Sequence, residues 1–330
     1  MSKVASNVLT SFYVSLLIVT VGGCNQLNDP KSPVETPPII STMELGYHYT
    51  RISSPDRTVV TDLEGKWLAT FTVGAQTVTL DGPVRTFSES AYTSYTVTHS
   101  TWVRVLPKPF GGQVDQLWLA AALADNSPDV LEVSMGYIDG ASHKLNDAGL
   151  KLAGDADYGP LQADGTRKEG SDFNDYLGIS WSYGSKIDKP ELNEVNALDC
   201  SGFIRMVWGY RNNLPLTLSP NGKAIPRRSF EILNSAPGIV VIPNIGQQVR
   251  DFASLNVGDV VFFDASTDDG TRIDHVGMYI GIDSGGYHRF VSSRKTANGP
   301  TLGDYGGRSI LEAINSKGLY ANAFRAVRRF

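Results

Sequence analysis

Two cysteines in 330 residues, Cys24 and Cys200, set the terms on which this chain can fold. A framework of disulfides cannot brace it, so a hydrophobic core has to. At 41% hydrophobic and 19% charged residues the chain has the material for such a core and is not a disordered polymer. At roughly 100–200 residues per domain, the length allows two domains. The net charge of −5 gives no bulk attraction to nucleic acid or anionic lipid. The basic pairs Arg167-Lys168, Arg227-Arg228, Arg294-Lys295 and Arg328-Arg329 are scattered, with no run that tracks a phosphate backbone. Nucleic acid is therefore not an expected partner.

The two cysteines sit in different settings. Lys3 is followed by an apolar stretch from Val8 to Val21 and then by Gly22-Gly23-Cys24. A stretch this short cannot span a bilayer and fits a secretory signal. The ending Val21-Gly22-Gly23-Cys24 resembles a bacterial lipobox, which implies cleavage after residue 23 and lipidation (palmitate) of Cys24. An ordinary signal peptide and an uncleaved anchor are the alternatives. On the lipobox reading, residues 1–23 are a lipoprotein signal and the membrane is a partner through an N-terminal lipid anchor. The protein then lies in the cell envelope, facing the periplasm or the exterior. Cys200 becomes the one thiol left, and an exported, unpaired thiol points to catalysis.

Residues 24–44 include the run NQLNDPKSPVETPPIIST, a Pro-rich, semi-extended tether. Residues 45–112 read as a small β-rich domain, a barrel (SH3-like) or a sandwich. Trp67, Ala69, Phe71 and Val73 alternate with polar neighbours, and Thr77–Leu80, Ser90–His99 and Thr101–Leu106 are further strand candidates. No catalytic grouping appears there; a spacer and a wall-binding module are both open. The pattern changes at residue 113. Asp115–Ala124 forms a helix, and Ser127-Pro128-Asp129 caps another. After Asp199 one helix precedes a series of strands, Gly258–Asp264, His275–Ile282, Tyr287–Ser293 and Ala323–Phe330. Helices first and strands later indicate an α+β domain over 113–330.

Cys200 lies in Leu198-Asp199-Cys200-Ser201-Gly202-Phe203, with apolar residues recurring at helical spacing through Trp208. That puts it at a helix N-terminus, where free N–H groups favour a thiolate. A buried structural thiol is the bland alternative. In Asp274-His275-Val276-Gly277-Met278-Tyr279-Ile280-Gly281, a strand sends Val276, Met278 and Ile280 to the core and His275 and Tyr279 to the other face. His275 can then take the thiol proton and return it to a leaving amine.

DCSGF, LNVGDVVFF, HVGMYIG and FVSS, in that order, resemble the NlpC/P60 family of cell-wall cysteine peptidases over about residues 170–330. The resemblance implies a papain-like fold and a hydrolase of the thiol protease type. Its implied substrates are the stem peptides of peptidoglycan, commonly cut between γ-D-glutamyl and the diamino acid, and no cofactor is implied. It makes Cys200 the nucleophile and His275 the general base. The family's third residue usually follows Phe and a second apolar residue, which here is Ser292 in place of His. His288 lies on the same strand face, about 13 Å away at 3.3 Å per residue. The turn at Asp283–Gly286 could shift the register, and an imidazole polarises His275 better than a hydroxyl, so His288 is the favoured third residue and Ser292 the alternative. The family's upstream Tyr aligns with Trp181, with Tyr183 and Tyr176 nearby. Asp199 and Ser201 are implied to bind the amine end of a stem peptide, with helix capping as the alternative.

No metal is expected, because Cys200, His275, His288 and Asp274 have no compact ligand spacing. Arg205 and Arg211 are placed on the solvent side of the nucleophile helix, and Arg227 and Arg228 in a solvated insertion. Ser293–Pro300 reads as a basic loop that could face an anionic peptide, and Asp172 as a cap. A non-catalytic wall-binding scaffold and a Cys-His amidase or acyltransferase on the same fold are the rival functions.

Overall fold

The computed structural model describes residues 46–266 and 269–330. The readings placed on residues 1–23, Cys24 and the tether up to residue 44 lie outside them. Among the described residues, no helix is long and apolar enough to cross a membrane.

Strands β1 (His48–Ile52), β2 (Arg57–Thr61), β3 (Trp67–Thr72), β4 (Thr77–Phe87) and β5 (Val97–Val105) pair antiparallel in sequence order. The alternation in β3 has the expected structural result on one face. Ala69 and Phe71 join Val60, Val78, Leu80 and Trp102 beneath helix α1 (Gln116–Ala124), which contributes Leu119. Asp115 caps α1, its carboxylate accepting from the backbone N–H groups of Leu117 and Trp118. Sequence reasoning grouped α1 with the following domain, yet it packs on this sheet. The polar face is buried too: Thr70 and Thr72 are shielded, and Arg329 Nη1 donates to Thr72 Oγ1 at 2.8 Å.

Helix α2 (Val130–Met135) is capped by Asp129. A short ribbon, β6 (Lys144–Leu145) with β7 (Lys151–Ala153), leads through a loop to α3 (Phe173–Leu177). Helix α3 starts with a capping box between Asp172 and Asp175 and stops at Gly178, whose φ of 65° is cheap only for glycine. A second ribbon, β8 (Trp181–Ser182) with β9 (Ile187–Asp188), precedes α4 (Cys200–Ile204). Helix α4 runs on into a π-helical turn over Arg205–Tyr210. After α5 (Ser229–Ser235) come β10 (Ile239–Ile242), β11 (Val260–Phe263), β12 (His275–Ile282), β13 (His288–Arg294) and β14 (Gly299–Thr301). Helix α6 (Leu319–Ala323) feeds directly into the last strand, β15 (Phe324–Arg329). These six strands form one antiparallel sheet in the order β10-β15-β11-β12-β13-β14.

Both faces of that sheet are covered, which is why β11 reads Val-Val-Phe-Phe without alternation. On one face Val260, Phe262, Val276, Met278 and Val291 pack with Phe203, Val207 and Trp208 from the α4 segment. On the other, Val261, Phe263, Tyr279 and Phe290 pack with Tyr320 and Phe324. The two sheets are stitched together at the chain end, where the Phe330 carbonyl accepts from Gln76 N at 2.9 Å and Thr77 N at 2.8 Å. Leu45–Phe330 forms one compact unit.

Candidate active site

Helix α4 begins at Cys200 because Asp199 ends the preceding extended segment and caps it, accepting from Gly202 N at 2.8 Å. The residue two after the cysteine has to be glycine for lack of room, since a Cβ there would lie 2.2 Å from the Ser171 carbonyl oxygen. His275 opens β12 opposite Phe263. Its ring contacts Phe263 and Tyr320, on the sheet face opposite Val276 and Met278, as the alternation requires. Cys200 and His275 open into the same cavity of about 760 Å³, together with Tyr158, Ser201, Arg294 and Tyr320. The thiol also approaches the Asp274 carbonyl, at 3.9 Å.

His275 Nε2 is 3.1 Å from Ser292 Oγ, so Nδ1 is the ring nitrogen left for the thiol. The favoured third residue, His288, is elsewhere. Its Nδ1 and its backbone N–H both meet the Glu312 carboxylate, and its ring lies against Phe252 and Tyr279. A bulge between Tyr279 and Gly281 does shift the register, but it leaves His288 opposite Ile282 at the far end of the hairpin from His275.

The electrostatics differ from a helix-stabilised thiolate. Burial pushes the Cys200 thiol well above its ordinary range, and the nearby carboxylates of Asp199 and Glu169 push it further. Burial, then the charge of Arg294, pushes His275 down to about 3. Both shifts favour neutral thiol and neutral imidazole over the ion pair, and in each desolvation is the largest cause.

Asp199 and Ser201, expected to meet a substrate amine, are already taken. Arg227 donates to Asp199 Oδ1 at 3.2 Å, to Asp199 Oδ2 at 2.7 Å and to Ser201 Oγ at 2.7 Å. Asp199 is 1% exposed, and its carboxyl is held below the usual range because Arg227 and the donors Gly202 N and Ser201 more than offset desolvation. Arg205, expected at the helix surface, is fully buried and grips Asp172 through Nε at 3.0 and 2.9 Å. Asp172 thus caps α3 and anchors Arg205, with Arg227 Nε 3.6 Å away.

Neither Trp181 nor Tyr183 lines the cavity. Trp181 packs edge-on against Phe173 and Tyr210, and the Tyr183 hydroxyl accepts from Arg205. The tyrosine beside the thiol is Tyr158, whose phenol burial and the charges of Cys200 and Asp199 push up. It comes from a loop far upstream of the cysteine motif, with no local periodicity to flag it. Asp264, Asp269 and Asp274 bring carboxylate oxygens within 4.8 Å of one another. Each is already engaged: Asp264 with Arg325, Asp269 with Arg272, and Asp274 with the N–H groups of Ala265 and Ser266.

Residues 178–323 match the model of the NlpC/P60 family. Among solved structures, the chain is similar to a Staphylococcus aureus subsp. aureus Mu50 protein described as similar to lipoprotein, NLP/P60 family. That match has 17% identity and a TM-score of 0.26, and covers 67% of this chain and 49% of the other. The chain thus spans about half the length of that protein. No curated protein matches. The α+β architecture, a papain-like domain preceded by a β region, agrees with the family match. Over residues 178–323, somewhat under half of its length, the chain is thus similar to the NlpC/P60 family.

Proposed function

We propose that this protein is a cysteine peptidase that hydrolyses peptide bonds in peptidoglycan stem peptides. The observation that carries the reading is the shared cavity of Cys200 and His275, with Ser292 holding the far side of the imidazole. Because both groups rest neutral, attack and proton transfer belong to one event. Cys200 Sγ adds to the carbonyl carbon as its proton passes to His275 Nδ1. The tetrahedral oxyanion collapses, the C–N bond breaks, and the leaving amine takes the proton from His275. A water then gives a proton to the same nitrogen, attacks the thioester and releases the acid, and the thiol is regenerated. Tyr158, buried at the cavity wall beside Cys200, supplies the hydroxyl donor that the family's upstream Tyr would give, a position aligned here with Trp181, which has no hydroxyl. Arg228, Arg272 and Lys295 stand at the cavity with Glu169 and Asp269, a mixed surface suited to a zwitterionic peptide.

The envelope location and the lipid anchor at Cys24 belong to the same reading and rest on the lipobox-like sequence. The protein without residues 1–24 should be incubated with purified peptidoglycan and with free stem peptides, and the products read by mass spectrometry. Fragments gaining one water, made by the wild type and not by Cys200→Ala, are expected. Transfer of an acyl group without added water would identify an acyltransferase, and unchanged substrates would leave a wall-binding scaffold.

A further inference from the structure

Two residues beyond Ser292, Arg294 is turned into the protein and 2% exposed. All its hydrogen-bond acceptors are neutral: Nε donates to Ser292 Oγ at 3.0 Å, Nη1 to the carbonyls of Gly307 at 2.5 Å and Gly303 at 3.4 Å, and Nη2 to Ser309 Oγ at 2.6 Å. The Tyr320 ring lies 4.3 Å from the guanidinium carbon, and the Phe290 ring 5.2 Å. Among the described residues no carboxylate forms an ion pair with it, whereas Arg289 and Arg329 each have a buried aspartate. Glu89 and Asp304 act on it only from beyond ion-pair distance; burying a cation without a contacting counter-ion is costly, and an apolar side chain would fill the same space more cheaply. The position therefore calls for a reason beyond packing.

We propose that Arg294 is a positioning residue that acts through Ser292 on His275, fixing the hydroxyl against the imidazole and keeping the ring uncharged for the Cys200 proton. This rests on the peptidase reading above for its purpose, but not for its geometry. An arginine Nε–H can only donate, so Ser292 Oγ must accept there. The hydroxyl is fully buried, and its second lone pair faces His275 Nε2, whose N–H donates to it; that tautomer leaves Nδ1 free to accept the Cys200 proton. A serine alone rotates freely about its Cα–Cβ bond. Tied to a guanidinium that three other neutral acceptors hold in place, it becomes a fixed post for the ring.

The charge works in the same direction. The groups facing His275 are Arg294 and Lys295 on and after β13, Asp199 and Cys200 at the start of α4, Tyr320 on α6 and the Phe263 ring on β11. Of the charged ones, Arg294 and Lys295 oppose an imidazolium and Asp199 favours it, with Arg294 the strongest. Asp199 is itself neutralised by Arg227, and Lys295 is half-exposed and paired with Glu169. A third residue that was a carboxylate would orient the ring but pull a proton onto it. Serine backed by arginine orients it without that pull, and the base stays available in acid.

The test reads His275 directly and needs no substrate. Its imidazole signals in the intact protein are followed by NMR against pH; the chain has five histidines, and His275→Gln assigns the one that matters. The titration runs from pH 8 down to pH 3, and the expected result is a wild-type ring that stays largely unprotonated to pH 4. Arg294→Met should raise its midpoint by at least one unit. Ser292→Ala, which keeps the cation, should leave the midpoint low but average the ring signals through loss of the fixed orientation. If Arg294→Met does not fold, Arg294→Lys decides, since it keeps the charge and loses the Nε contact. A low midpoint with averaged ring signals then supports the proposal. Wild-type titration near 6.5, an unchanged midpoint in Arg294→Met, or a normal midpoint in Arg294→Lys overturns it. A wild type without peptidase activity would sink the function and leave this result standing.

Discussion

The Arg227–Asp199 pair offers a stability test whose size follows from the structure. Replacing Arg227 by Met keeps the bulk of the stem and removes the guanidinium. Asp199 then keeps its bonds from Gly202 N and Gly170 N and from the Ser201 hydroxyl, but loses its counter-ion at 1% exposure. Removing one partner of a buried pair costs roughly 3–5 kcal/mol. A ceiling comes from protonation: a carboxyl of ordinary value 3.8 can be neutralised at pH 7 for about 4 kcal/mol, at 1.36 kcal/mol per unit. The loss should therefore be about 3–4 kcal/mol at pH 7. The sign with pH is fixed as well. In the wild type the folded Asp199 value is lowered, so its stabilisation is present above the unfolded value and lost as pH falls through the folded one. In the variant the folded value is raised, so the penalty shrinks as pH falls, to under about 2 kcal/mol at pH 5. Guanidinium unfolding followed by tryptophan fluorescence at both pH values measures this, provided the slope m is unchanged. A loss below about 1 kcal/mol at pH 7, or one that grows toward pH 5, would refute the claim that Arg227 is the counter-ion of a buried charge.

Four further outcomes are expected. Glu312→Gln and His288→Phe should keep peptidase activity within about twofold, because that pair does not touch His275; a hundredfold loss in either would return His288 to the site. Tyr158→Phe should lower kcat about ten- to a hundredfold with little change in KM if its hydroxyl meets the oxyanion, and equal loss in Tyr183→Phe would argue otherwise. Gly202→Ala should fail to fold or lose several kcal/mol, since the new methyl meets a backbone carbonyl; soluble, fully stable protein would contradict the packing. His275 binds no proton in the fold until about pH 3, while the unfolded chain does so near 6.5, so stability should fall by up to about 1.4 kcal/mol per unit as pH drops through that window. His275→Gln should flatten that slope, and an unchanged slope would place its origin elsewhere.

What was legible in the chain was local. The cap, thiol and glycine of DCSGF, and the alternation in His275–Ile280, are set by backbone sterics and by which neighbours share a face, so a short window suffices. What was missed is long-range. Choosing His288 over Ser292 weighed imidazole against hydroxyl by chemistry, but strand register decided it, and a single bulge was too small to move a residue four positions away. Arg205 and Arg227 looked solvated because charge is normally outside, and Arg294 looked like part of a basic loop facing substrate. Each is covered, Arg205 and Arg294 fully and Arg227 in part, by groups that fold onto it: Asp172 from the start of α3 for Arg205, Asp199 for Arg227, and the carbonyls of Gly303 and Gly307 for Arg294. No periodicity encodes such meetings. Tyr158 escaped for the same reason, coming from a loop that only the tertiary fold brings to the thiol.

The order of the six-stranded sheet also has a consequence for how the protein comes into being. Strand β15, between β10 and β11, holds the last residues of the chain, and its neighbours are each made long before it. A ribosome delivers β10 through β14 with a gap where the middle strand belongs, and Val261 and Phe263 wait uncovered beside it. The first sheet waits as well, for the carbonyl of Phe330 that joins its Thr77 edge. Closing a loop from residue 77 to residue 330 is the slow, non-local kind of event that delays folding. Cooperative folding should thus begin only after β15 and Phe330 have been made. A ribosome-stalled chain that stops before residue 324 would be protease-sensitive throughout, while extension through residue 330 would confer resistance on both sheets at once.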